Sequence, residues 1–77
     1  MKNNMNQENN APFGALIERG VITATSDDGY SVESFDRKGV ITPPITGISQ
    51  ETYSAGDRVF FFLFNDGHGK ILAKLNE

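Results

Sequence analysis

The run Val59-Phe60-Phe61-Phe62-Leu63-Phe64 constrains the fold more than any other part of the chain. A β-strand sends alternate side chains to opposite faces. One face of this strand carries Val59, Phe61 and Leu63, the other Phe60, Phe62 and Phe64. A sheet with one face in water normally shows polar residues there, and here neither face has any. Both faces are therefore expected to be covered, one by the domain's own core and the other by something else. The inward set, at about 1.5–3 kcal/mol of burial per side chain, is expected to build a core with Ile22, Val32, Ile41, Ile71 and Leu75.

The rest of the chain reads as strand and turn. Leu16 to Thr25 is rich in β-branched residues and ends at Ser26-Asp27-Asp28-Gly29, where Asp-Gly signals a hairpin. Tyr30 to Asp36 follows, with Tyr30, Val32 and Ser34 alternating against Ser31, Glu33 and Phe35 and a bulge expected near Phe35. Asp36-Arg37-Lys38-Gly39 reads as a turn closed by a glycine at positive φ. Val40-Ile41-Thr42 makes a third, short strand that Pro43-Pro44 ends, because proline lacks the N–H a ladder needs. Ile45 to Ala55 is mixed and leaves room for one helical turn around Ser49 to Tyr53, with Ser49 as an imperfect cap. Gly56-Asp57 opens the aromatic strand and Asn65-Asp66-Gly67-His68-Gly69 closes it. In the last strand Ile71, Ala73 and Leu75 are expected on one face, Lys70, Leu72 and Lys74 on the other.

Five short strands without crossover helices predict an all-β domain, a small five-stranded antiparallel barrel of OB-like or, alternatively, SH3-like type. Met1 to Pro12 contains five asparagines and no aromatic or β-branched residue. Such a composition buries too little surface to offset the entropy of ordering, so residues 1–12 are expected to be a disordered tail and residues 13–77 the folding unit. At that size only about 60% of the unfolded chain's surface is buried and stability is marginal. Cysteine is absent, so neither disulfides nor thiolate metal sites reinforce the domain. No apolar stretch has the length of a signal peptide's core or a transmembrane helix, which predicts a soluble protein with no membrane partner.

Catalytic chemistry finds no constellation. His68 stands two residues from Asp66 in a turn, too few ligands for a metal, and Asp27, Asp28, Asp36 and Asp57 each have a turn role. There is no Gly-x-Ser-x-Gly elbow, and Gly67-His68-Gly69 precedes a strand instead of the helix whose N-terminus would hold a phosphate. The expectation is a non-enzymatic protein without catalytic residues, metal or cofactor. Its candidate site is the outward face of the aromatic strand, Phe60, Phe62 and Phe64, flanked by Tyr53 and Leu72. An exposed apolar patch of this kind marks an interaction site, and the expected partner is another protein or a second copy. Coverage by the chain's own Ile45 to Ala55 segment is the plainer account.

Strand-borne rings also stack nucleic-acid bases in OB and cold-shock domains, which makes a single-stranded nucleic-acid binder the alternative. Arg37, Lys38, Arg58, Lys70 and Lys74 would then supply the backbone contacts. Seven basic against ten acidic residues leave a net charge of −3, which argues against a phosphate-driven grip. Along the sequence, no basic residue interleaves with the three rings.

Tyr53-Ser54-Ala55-Gly56-Asp57-Arg58-Val59, the apolar run, the glycine turn and Ile71-Leu72 resemble the second half of the OB-type barrel domains of phage tail baseplate and spike proteins. Gly20-Val21-Ile22-Thr23-Ala24 and Gly39-Val40-Ile41-Thr42-Pro43-Pro44 resemble the first half more loosely, so the likeness spans about Arg19 to Leu75. The resemblance implies a structural part of a contractile tail or related injection machine, a homotrimer or a piece docked on other baseplate proteins, virion-associated or in the bacterial cytoplasm. The sequence has no β-helical needle after Leu75, which leaves an adaptor or hub as the implied form.

Overall fold

The computed structural model describes residues 16–75; the expected tail over residues 1–12 lies outside them. Among the described residues, five strands form one sheet: β1 Ile17–Ser26, β2 Gly29–Ser34, β3 Thr46–Gly47, β4 Arg58–Leu63 and β5 Gly69–Lys74. Their spatial order is β2-β1-β4-β5-β3, with β3 and β5 parallel and the other pairs antiparallel. The all-β expectation holds, but the sheet is a mixed, open half-barrel and not a closed antiparallel barrel. Closure fails where prolines fall. Ile41 makes a single bridge to Glu33 and Ile45 another to Tyr30, and Pro43-Pro44 between them have no N–H to continue the ladder. The Val32 N–H that faces this break donates to Thr42 Oγ1 at 3.0 Å.

The third strand therefore lies beyond the prolines, at Thr46–Gly47, and not at Val40 to Thr42. No helical turn forms at Ser49 to Tyr53; the Ser49 hydroxyl accepts the Glu51 N–H at 3.2 Å, which closes a local turn in competition with a helical cap. No bulge forms near Phe35, where Gly20 pairs with Ser34 and Val21 with Glu33 in regular register; the β1–β2 bulge lies on the facing strand, where Ile22 pairs with Val32 and Ala24 with Ser31, leaving Thr23 extra. A second bulge leaves Leu72 extra between the Phe60–Ala73 and Phe61–Ile71 pairs. It reverses the alternation after Ile71, so Ala73 is exposed and Leu75 only half-buried.

The core comprises Ile22, Val32, Ile45, Tyr53, Val59, Phe61 and Ile71, with Tyr30 and Leu63 packed against it. Val59 and Phe61 are fully buried, so the parity assigned to β4 is correct. Ile41, expected inside, is 55% exposed. Its place is taken by Ile45, which is held at the seam by both hydrogen bonds of its bridge to Tyr30, at 2.8 and 2.9 Å. The hairpin loop between β1 and β2 is Asp27-Asp28, with Gly29 paired to Ser26 at φ 137°. The turn at Asp36 to Gly39 forms as expected, with Gly39 at φ 82°.

Candidate functional site

The outer face of β1, β4 and β5 is built by register. On β1 the inward positions are Glu18, Gly20 and Ile22, all buried, which turns Ile17, Arg19 and Val21 outward. Pairing places Ile17 against Phe62, Arg19 against Phe60 and Val21 against Arg58. Across β4, Lys70 stands opposite Phe62 and Ala73 opposite Phe60. Cross-strand neighbours on one face lie about 4.5–5.5 Å apart, so Arg19 and Lys70 sit beside the phenylalanine rings. The absence of interleaved positive charge, inferred along the sequence, is corrected here: cations and rings alternate across strands instead of along one.

Phe35 extends this face past β1. Its N–H donates to the Arg19 carbonyl at 2.8 Å, and the Arg58 guanidinium lies over its ring at 5.5 Å from the centroid, a cation–π arrangement. At the other margin Phe62 and Phe64 meet edge to face with centroids 5.3 Å apart. Phe60, Phe62 and Leu72 are half-buried and Phe64 is 38% exposed. Tyr53 does not belong to the face: it is 5% exposed in the core, edge to face with Tyr30 at 5.3 Å. Its hydroxyl is buried without a hydrogen-bond partner among the described residues.

A buried carboxylate holds Phe35 in place. Glu18 points inward and accepts from Ser34 Oγ at 2.8 Å and from Arg37 Nε and Nη2 at 3.1 and 2.6 Å. The Ser34 hydroxyl in turn accepts the N–H groups of Asp36 and Arg37. This network fixes the turn that carries Phe35 and Asp36, because a buried charge must be paired and hydrogen-bonded. Asp36 then grips Arg19, accepting its backbone N–H and its guanidinium at 2.9 Å each. Arg19 is thereby oriented on the face.

These bonds hold the Asp36 carboxyl below the usual 3.8, the Arg19 side-chain bond first and its backbone bond second. Asp66 is lowered likewise by the His68 backbone N–H and then its side chain. A carboxylate whose folded pKa is depressed stabilises the fold above its unfolded pKa, and that contribution is lost as pH falls through the folded value. The urea midpoint is therefore expected to decline from just above pH 4 downward, and Asp36→Asn to flatten part of that decline. An unchanged profile in the variant would show that the Arg19–Asp36 clamp does not form in solution.

The β1–β2 hairpin and the segment from β3 to Tyr53 border an open groove of about 460 Å³, lined by Thr25 to Asp27, Tyr30, Thr46, Thr52 and Tyr53, and Lys70 Nζ donates to the Thr46 hydroxyl at 2.7 Å. Its lining includes a carboxylate and no basic side chain. Among the described residues, no group of three His, Cys, Asp or Glu side chains is placed to share a metal ion.

No family model, curated protein or solved structure matches the chain. The function is argued from the faces themselves.

Arg19, Ile17 and Phe35 are the members of the face that the sequence reading missed. Strand parity alone turns Ile17 and Arg19 outward, but only the non-local β1–β4 pairing sets them against Phe60 and Phe62.

Proposed function

We propose that this domain is a non-enzymatic assembly module of OB type that docks a protein partner through the outer face of β1, β4 and β5. The observation that carries the reading is Phe60 and Phe62 on a sheet face that also presents Ile17, 67% exposed, and Phe35, 48% exposed. Contiguous exposed apolar area with a polar rim marks protein contacts, and aromatic residues with Arg are enriched in the energetic centres of interfaces. The OB assignment is supported by five strands in a partly open barrel, with β3 beside β5 at the sheet's edge. The likeness to tail baseplate barrels points to the same use, as an adaptor within a larger assembly, in a virion or in the cytoplasm of a bacterium carrying the prophage.

Light scattering on the purified chain tests the reading. Association is expected at high micromolar concentration, and Phe62→Ser should abolish it or raise solubility by removing the central ring. A monomer whose mass and solubility are both untouched by Phe62→Ser would count against it. The cations beside the rings favour a second reading, a single-stranded nucleic-acid binder, in which bases stack on Phe60 and Phe62 while Arg58 and Lys70 meet phosphates. Its signature is oligonucleotide binding that weakens steeply with salt; no binding at low salt removes it.

A further inference from the structure

We infer that the chain's own residues 13–15 complete the aromatic face, with the Phe13 ring packed on Phe64 at the end where β1 enters the sheet. These three residues precede the described ones, and the place where they join them carries the inference. β1 begins at Ile17, whose partner on β4 is Phe62. Leu16 is 82% exposed and Ile17 67% exposed, so two consecutive large apolar side chains stand uncovered at that point. The segment leading into them is the nearest chain able to pack beside them.

Register decides which of its side chains can do so. Ile17 faces outward, and side chains alternate along a strand, so parity carried back from Ile17 sets Ala15 and Phe13 on the outer face and Gly14 on the other. Antiparallel pairing carried back in the same way brings Ala15 opposite Phe64. Phe13 then stands on the diagonal to Phe64, about 7–8 Å away, a gap that aromatic side chains span. The small side chain of Ala15 leaves the space over Phe64 open to that ring. Phe64 is 38% exposed and already meets Phe62 edge to face at 5.3 Å, so Phe13 adds a third ring to an existing pair. Pro12 has no N–H to give to a ladder, which makes Phe13 the first residue held. Phe13 is the one aromatic residue among the first fifteen, whose only charged side chains are Lys2 and Glu8. An uncharged segment suits this end of the face, where Arg19 is paired with Asp36 and Lys70 with Thr46. The tether makes the contact intramolecular, at an effective concentration of roughly millimolar or above, so one ring contact suffices where separate molecules need a whole interface. The surface offered to a partner then runs from Phe13 through Phe64, Phe62 and Phe60, a last step that rests on the assembly reading.

Nuclear Overhauser spectroscopy on the isotopically labelled full chain, kept dilute enough to be monomeric, tests this. Contacts between the Phe13 and Phe64 rings are expected in the wild-type protein, a readout that depends on no variant's folding. Phe13→Ser should shift the amide resonances of Phe62 and Phe64, distant in sequence, while leaving those of Val32 and Ile45 in place. Met5→Ser, on the other side of Pro12, should shift none of them. Wild-type spectra without a Phe13–Phe64 contact overturn the inference, as does a Phe64 amide that Phe13→Ser leaves unmoved or that Met5→Ser moves equally. So do contacts found only between labelled and unlabelled chains in a mixture, which would mean that a second copy supplies the ring. Light scattering on Phe62→Ser keeps the two readings apart. If that variant no longer associates while Phe13 makes no contact, the assembly reading stands and the inference fails. If Phe13 packs as described while Phe62→Ser changes neither mass nor solubility, the inference stands and the assembly reading fails.

Discussion

Phe61→Ala is expected to strip the domain of most of its stability and leave it at the edge of unfolding at room temperature. The Phe61 side chain is fully buried in a cluster with Val59, Ile71, Ile22 and Val32, on the strand at the middle of the sheet. Truncating a buried phenylalanine costs about 3–5 kcal/mol, from lost transfer energy and the cavity left behind. A domain of this size holds a total stability near the low end of the usual 5–15 kcal/mol, so one truncation removes most of it. Phe62→Ala provides the control, because its half-buried ring is on the other face and should cost far less. Urea unfolding followed by circular dichroism reads both; equal losses for the two variants would mean that β4 does not have the inside and outside described.

That contrast was legible in the sequence because alternation along a strand is local. Gly56-Asp57 and Asn65-Asp66-Gly67 bracket β4, and parity then sorts its six side chains without knowledge of any neighbour. The same alternation sets Arg19 outward once the burial of Glu18 shows which face of β1 is the core side. It broke down wherever the fate of a residue depended on a distant partner. Tyr53 reads as a surface aromatic beside a turn, yet its ring fills the space above Tyr30, which no local pattern announces. Ile41 and Ile45 are the same residue type on either side of two prolines. Only the hydrogen bonds between Ile45 and Tyr30 decide which of them enters the core. Leu72 carries a bulge, and an extra residue shifts parity for everything after it, which is why Ala73 and Leu75 were misplaced. The candidate face was half visible for the same reason. Phe60, Phe62 and, by the same parity, Arg58 lie along one strand, whereas Ile17, Arg19, Phe35 and Lys70 come from segments that only the topology sets alongside.

Gly29→Ala is expected to open the seam between β2 and the segment entering β3. Asp28-Gly29 suggests a glycine placed to turn the hairpin, but the loop itself is Asp27-Asp28, and the constraint on Gly29 comes from across the seam. At φ 137° the backbone is in a region that L-residues rarely occupy, at a strain of about 1–3 kcal/mol for any other residue. A Cβ there would also stand 2.5 Å from the Ile45 carbonyl oxygen and 2.9 Å from its carbon, backbone atoms that cannot swing aside as a side chain would. Relief requires Ile45 to withdraw, breaking the two hydrogen bonds it exchanges with Tyr30, at about 1 kcal/mol each. The total, about 3–5 kcal/mol, rivals a core truncation, but the damage begins locally. Native-state hydrogen exchange should show the Tyr30 and Ile45 amides losing protection well before those of Phe61 and Ile71, and the groove between the hairpin and Tyr53 should lose its wall. Gly29→Ala with an unchanged unfolding midpoint and a protected Ile45 amide would mean that the sheet's edges are not held together at this point.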